Sequence, residues 1–238
     1  MKIALINPNS SGFMTEAIVA AARNVAPVDV QLFGLTNHAG PSSIEGLIDG
    51  VHAAPGLLDL IARHDDDVDA YVIACFDDTG LDAARSLTSR PVVGIGEAGY
   101  HAASFVAARF SVVTTLACSI SILQGNLTRY GLAGKCGSVL AAGIPVLDLD
   151  NAEIDSLGMI GLRIKQAIEM DGAEAIVLGC AGMASFSNQL SQQFGLPVID
   201  GVASAVGMAS SLVRMGVSNF RAARVPTPLC AQLGADRP

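Results

Sequence analysis

The chain repeats itself at a nearly constant offset, and that repeat constrains the fold more than any single motif does. Lys2 and Phe110 stand 108 residues apart, as do Val30 and Ser138, while Cys75 and Cys180 are separated by 105 and Pro91 and Pro197 by 106. The likeness extends to local detail. Asp69-Ala-Tyr-Val-Ile-Ala-Cys75 and Glu174-Ala-Ile-Val-Leu-Gly-Cys180 each run from an acidic residue through an apolar stretch to a thiol. Pro91-Val-Val93 and Pro197-Val-Ile199 then open the last apolar run of each half. A shift this long exceeds the roughly 20–50 residues of solenoid repeats, so it predicts two similar lobes, not an array.

Each half carries four short apolar runs rich in Val, Ile and Leu, at about 2–7, 29–35, 69–75 and 91–95, then at about 110–116, 137–142, 174–180 and 197–200. Segments with helical spacing lie between them, as at 15–26, 56–63 and 162–169. Strands alternating with helices predict βαβ units and an α/β fold with two parallel four-stranded sheets. A composition of 51% hydrophobic and 15% charged residues suits strands covered on both faces. The reading assigns 1–97 plus about 205–238 to the first lobe and about 98–204 to the second. A pseudo-two-fold axis between them would leave a cleft.

Ligands of open parallel sheets sit beyond the carboxyl ends of the strands. Those ends carry Asn7-Pro8-Asn9-Ser10, Cys75-Phe76-Asp77-Asp78-Thr79, Thr114-Thr115 and Cys180-Ala181-Gly182. A free thiol titrates near 8.5, and a helix N-terminus lowers that value. Cys75 precedes the cap-type residues Asp77, Asp78 and Thr79 ahead of a helix over 81–87, and Cys180 precedes Gly182 and a segment over 183–190, so both thiols are expected to be activated in this way. Inverting a carbon centre without a cofactor requires one group to remove a proton from one face and another to deliver one to the opposite face. The carbanion needs an adjacent carbonyl to hold its charge as an enolate, and two thiols suit the paired roles. A cysteine ending an apolar strand is usually a small buried hydrophobe. The matched positions in duplicated halves set Cys75 and Cys180 apart, whereas Cys118, Cys136 and Cys230 have no counterpart and keep the bland reading.

Other readings fall away. Gly94-Ile-Gly96-Glu-Ala-Gly99 fits GxGxxG, but after Glu97 the next carboxylate is Asp148, so the acidic residue expected about twenty positions on is missing. His38, His52, His64 and His101 show no zinc-ligand spacing, and no metal or cofactor is expected. Asp65-Asp66-Asp67 reads as a solvated turn. There is no GxxxxGK[ST] loop and no GxSxG elbow. Fourteen basic against twenty-two acidic residues give a net charge of -8, which disfavours nucleic acid as a partner. No run approaches the roughly 18 apolar residues of a membrane span. Five cysteines without a secretory signal point to reduced thiols and a cytoplasmic protein. Asn7, Asn9 and Ser10 are left open between capping the first helix and touching substrate.

Together with Ser43-Ile44-Glu45-Gly46, Phe110-Ser111-Val112-Val113-Thr114-Thr115 and Leu178-Gly179-Cys180-Ala181-Gly182-Met183, these motifs resemble the aspartate/glutamate racemase superfamily, and within it the hydantoin racemases. The likeness runs through nearly the whole chain to about Asn219. It implies flavodoxin-like lobes, cofactor-independent racemisation with Cys75 and Cys180 as the acid/base pair, and a 5-monosubstituted hydantoin as the small-molecule substrate. It also implies a homo-oligomer. By analogy, Asn7, Thr115, the backbone of Phe76, Asp77, Asp78 and Thr79, and Ala181 and Gly182 surround the ring, with Phe76 shaping the side-chain pocket. Ala117-Cys118 departs from the Pro-Arg expected in close relatives. Racemisation of allantoin, itself a hydantoin, is the neighbouring reading. A malonate-type decarboxylase or maleate isomerase would share the fold, although such decarboxylases work with one cysteine. A two-lobed binding module is the non-catalytic alternative.

Overall fold

The computed structural model describes residues 1–220, so Cys230 and the last part of the stretch assigned to the first lobe lie outside the described residues. The first sheet contains β1 (Lys2–Asn7), β2 (Gln31–Thr36), β3 (Ala70–Ile73) and β4 (Val92–Gly94), in the order β2-β1-β3-β4. The second contains β5 (Phe110–Thr114), β6 (Cys136–Ala141), β7 (Ala175–Gly179) and β8 (Val198–Asp200), in the equivalent order β6-β5-β7-β8. Every pairing is parallel. The eight strands fall on the eight predicted runs, and the two sheets share one topology.

The helices are α1 (Gly12–Arg23), α2 (Leu47–His64), α3 (Leu81–Leu87), α4 (Ile95–Val106), α5 (Ile120–Arg129), α6 (Ser156–Asp171), α7 (Ser187–Phe194) and α8 (Gly201–Arg214). α2 begins well ahead of its expected start at 56. Gly50, Pro55 and Gly56 interrupt the pattern there, and the buried stripe that fixes the helix is only Ala53, Leu57 and Ile61, one residue per turn. Among the described residues, no helix is long and apolar enough to cross a membrane.

Alternate strand residues face different cores, which explains why the strands read as continuous apolar runs. Ile3, Leu5, Val72, Val112 and Val177 enter an inner core shared by both lobes. Ala4, Ile6, Tyr71 and Ile73 face an outer core of the first lobe, and Val113, Ile176 and Leu178 that of the second. Helices α4 and α8 fill the inner core against each other. α4 follows the first sheet yet packs on β7, and α8 follows the second sheet yet packs on β3 and β4. The crossed packing ties the lobes into one body.

The glycines of the GxGxxG pattern serve this packing. A side chain at Gly94 would strike the Asp78 carboxylate, and one at Gly96 the Phe76 carbonyl oxygen. A β-carbon at Gly99 would lie 3.0 Å from Val177 Cγ1 of β7 in the second sheet. The pattern marks close backbone approach beneath the cleft.

Candidate active site

Cys75 lies just beyond β3 and Cys180 just beyond β7, each at the point where its sheet reverses its order of strands. Ligands of doubly wound sheets sit at this switch point. The two thiols line one cavity of about 30 Å³, together with Asn7, Phe76, Asp77, Thr115 and Ala181. That is room for about one water molecule. A molecule larger than that does not fit the cavity as it stands. Across the two lobes the Val146 N–H donates to Glu45 Oε1 at 2.9 Å, and Ile44 and Val146, next to that contact, border the cavity. A larger groove of about 420 Å³ adjoins it, sharing Met14, Val146 and Ala181 and lined also by Gly182.

Burial dominates the electrostatics of the thiols. It pushes Cys75 well above the usual thiol range, and the Asp77 carboxylate adds to the rise. Opposing it, the Thr79 hydroxyl donates to Cys75 Sγ at 3.5 Å, and the Asp77 N–H also favours the thiolate. Cys180 is pushed up to about 11 by burial, with hydrogen bonds from the Gly182 and Met183 N–H groups limiting the rise. The expected activation by helix N-termini is thus corrected. α3 is capped by Gly80 in a left-handed conformation (φ 71°), with no side-chain hydrogen bond from Asp77, Asp78 or Thr79. After Cys180 the chain forms a 3-10 turn, Ala181–Phe186, and α7 starts only at Ser187.

The adjacent carboxylates have different surroundings. Asp78 adopts φ 53°, the only positive value among the described non-glycine residues, and its side chain turns back to cap α4. Its Oδ1 accepts from the Gly96 N–H at 3.0 Å, and its Oδ2 accepts from the Glu97 N–H and the Tyr130 hydroxyl, each at 2.8 Å. Burial still raises its carboxyl to about 7 against these donors. Asp78→Ala should therefore destabilise the protein by about 1.5–3 kcal/mol, the range for charged hydrogen bonds. Urea unfolding checks this: the midpoint falls at unchanged slope. Asp77 Oδ2, in contrast, is buried without a hydrogen-bond partner among the described residues, and burial raises its carboxyl to about 6. The Asp77 carbonyl is pinned by Asn126 Nδ2 of α5 at 2.9 Å.

Asn7 borders the cavity, but its Nδ2 also contacts Asn9 Oδ1, the Ser11 carbonyl and Thr15 Oγ1 at 2.8–3.1 Å, which shapes the loop after β1. The cap of α1 is Ser11, whose Oγ accepts from the Met14 N–H. Ser10 instead bonds Pro41. The Phe76 ring packs edge-on against Tyr100, with centroids 5.3 Å apart, so it is anchored in the inner core although the residue borders the cavity. Thr79 is buried behind Cys75, and Cys118 is exposed next to Ser119, which lines the cavity. Met14, Ser119, Asn126 and Val146 carry no sequence signal for this location. Glu45 does lie in a quoted motif, but nothing in that motif announces its reach across the cleft. Among the described residues, no group of three or more His, Cys, Asp or Glu side chains is placed to hold a metal ion.

Comparison with known proteins adds to this geometry. The family model described as Asp/Glu/Hydantoin racemase matches residues 3–209. A curated hydantoin racemase of a Pseudomonas species is 42% identical over 217 residues, covering 91% of this chain and 87% of the relative. A solved allantoin racemase from Klebsiella pneumoniae is 43% identical with a TM-score of 0.90, covering 92% of this chain and 90% of that one. An allantoin racemase structure from Pseudomonas fluorescens is 36% identical with a TM-score of 0.92, covering 95% and 98%.

Proposed function

We propose that this chain, which belongs to the Asp/Glu/hydantoin racemase family, inverts C5 of 5-monosubstituted hydantoins with Cys75 and Cys180 as its acid/base pair. That it is a racemase, an isomerase acting on a small molecule, follows from its relatives and sets aside the non-catalytic binding module. The observation that carries the finer reading is the placement of two thiols, at equivalent strand ends of duplicated lobes, on one shared cavity.

The chemistry balances with no further reactant. The thiolate of one cysteine takes the C5 proton, and the C5–H electron pair moves into the ring so that the C4 carbonyl oxygen carries the enolate charge. The thiol of the other cysteine then protonates C5 on the opposite face. The carbon is inverted, and the two sulfurs have exchanged protonation states. Since burial favours the neutral form of both thiols, the reaction draws on the small fraction of enzyme in which one is ionised. The pair titrates as a coupled unit. Asn7, Phe76, Asp77, Asp78, Thr79, Thr115, Ala181 and Gly182 build the surroundings of the ring, directly or by holding the residues that do. The likeness to solved allantoin racemases favours a second reading, in which the C5 substituent is a ureido group. The one-cysteine decarboxylase chemistry leaves the second thiol without a role. The reading also places the enzyme in the cytoplasm as a homo-oligomer. The exposed Leu47, Ile48 and Val51 on the first turns of α2 support association between copies.

Polarimetry with single enantiomers of benzyl-, isopropyl- and ureido-substituted hydantoins tests the reading. The expected result is decay of rotation to zero, from either hand, well above the enzyme-free rate for at least one of them. No decay above background with any of the three would refute it.

A further inference from the structure

Asp77 and Asp78 are consecutive carboxylates on the loop after Cys75, and among the described residues only Asp78 has its side-chain hydrogen bonds made. Asp78 takes three donors. Asp77 Oδ2 is buried and takes none among the described residues, while the residue borders the cavity that both thiols line. A buried acceptor without a donor is destabilising, and native structures rarely retain one without cause. The Asp77 backbone is fixed from the second lobe by Asn126, so its position is set by both lobes and not by a free loop. Cys75, Asp77 and Cys180 line the same cavity.

We propose that Asp77 accepts a hydrogen bond from the ring N1–H of the substrate, holding C5 between Cys75 and Cys180. The inference rests on the hydantoin reading. If C5 lies between the thiols, the group meeting Asp77 must be bonded to C5 or adjacent to it. Besides its hydrogen, C5 carries the ring nitrogen N1, the carbonyl carbon C4 and the variable substituent. The C4 oxygen gathers negative charge in the enolate and requires donors, so it faces away from a carboxylate. The substituent need not offer a donor at all. N1–H is a donor in every substrate of the class and is one bond from the reacting carbon. The N3–H lies across the ring, beyond the C4 carbonyl. Asp77 thus supplies orientation and selects for hydantoins with a free N1.

The test compares 5-benzylhydantoin with its 1-methyl and 3-methyl derivatives in the wild type, Asp77→Ala and Asp77→Asn. The wild type should favour the parent over the 1-methyl compound by at least about tenfold in kcat/KM, and over the 3-methyl compound by less. Asp77→Ala should lower kcat/KM for the parent by about 10- to 100-fold, as expected for loss of a hydrogen bond to a charged group. It should also remove the preference against 1-methylation. Asp77→Asn keeps the volume and loses the charge, so the parent should slow several-fold, an effect that steric exclusion of the methyl group alone would not produce. Should Asp77→Ala fail to fold, the wild type and Asp77→Asn still decide the matter. Equal wild-type use of the parent and 1-methyl compounds, or an unchanged parent rate in Asp77→Asn, overturns the proposal. A wild type that racemises none of the hydantoins tried overturns the underlying reading instead, a result distinguishable from both.

Discussion

Cys75→Ser and Cys180→Ser should each lower hydantoin racemisation on the order of 10³-fold, within the range contributed by a positioned general acid or base. The losses should be similar because the proposed inversion uses both faces in every turnover: one sulfur removes the proton and the other returns one. A hydroxyl is nearly isosteric with the thiol and leaves the cavity intact, but it ionises far less readily at the same pH. Cys136→Ser and Cys118→Ser serve as controls, since neither residue borders the cavity. They should change the rate less than about twofold, as for substitutions away from the reacting groups. Full racemisation surviving either of the first two changes would remove the mechanism.

The second large effect is on thiol reactivity. Only the thiolate is alkylated, and a thiol raised to about 11 is ionised to only about one part in 10⁴ at pH 7. A raised thiol value means that the neutral form persists to higher pH, so reactivity is gained as pH rises and lost as it falls. Alkylation of Cys180 by iodoacetamide should climb about tenfold per pH unit between pH 7 and 9. Cys75, raised further, should lag behind it, and the exposed Cys118 should react ahead of both at pH 7. Peptide mass spectrometry after timed quenching gives the three rates separately. A Cys180 rate that levels off below pH 8 would show a thiol activated in the resting enzyme, contrary to its surroundings here.

The features written in short-range apolar pattern were legible from the sequence. The eight strands, their division between two lobes and the two cysteines at their ends follow from runs of Val, Ile and Leu repeated at a fixed offset. The environment of the site was not legible in the same way, because long-range contacts create it. Nothing local distinguishes Asp77 from Asp78. The difference arises from donors 18 to 52 residues away, Gly96, Glu97 and Tyr130, which all reach Asp78. The thiols read as cap-activated because cap-type residues follow Cys75. Yet Asp78 caps α4 instead of α3, and the segment after Cys180 winds as a 3-10 turn. Burial then outweighs the local donors. Likewise, the contact between Glu45 and Val146 spans 101 residues and leaves no local pattern. The GxGxxG stretch, set aside on sequence as a dinucleotide site, owes its glycines to a related cause, since they answer to the Asp78 side chain and to β7.

The most direct test is isotopic and needs no variant. A single enantiomer of a hydantoin that the enzyme turns over is incubated in heavy water and stopped at low conversion, and the two hands are separated and weighed for deuterium at C5. Two thiols on opposite faces predict deuterium in the inverted product and almost none in the recovered starting hand, from either direction. Deuterium appearing in the recovered hand as fast as in the product would show one group serving both faces, and would contradict the pairing of Cys75 with Cys180.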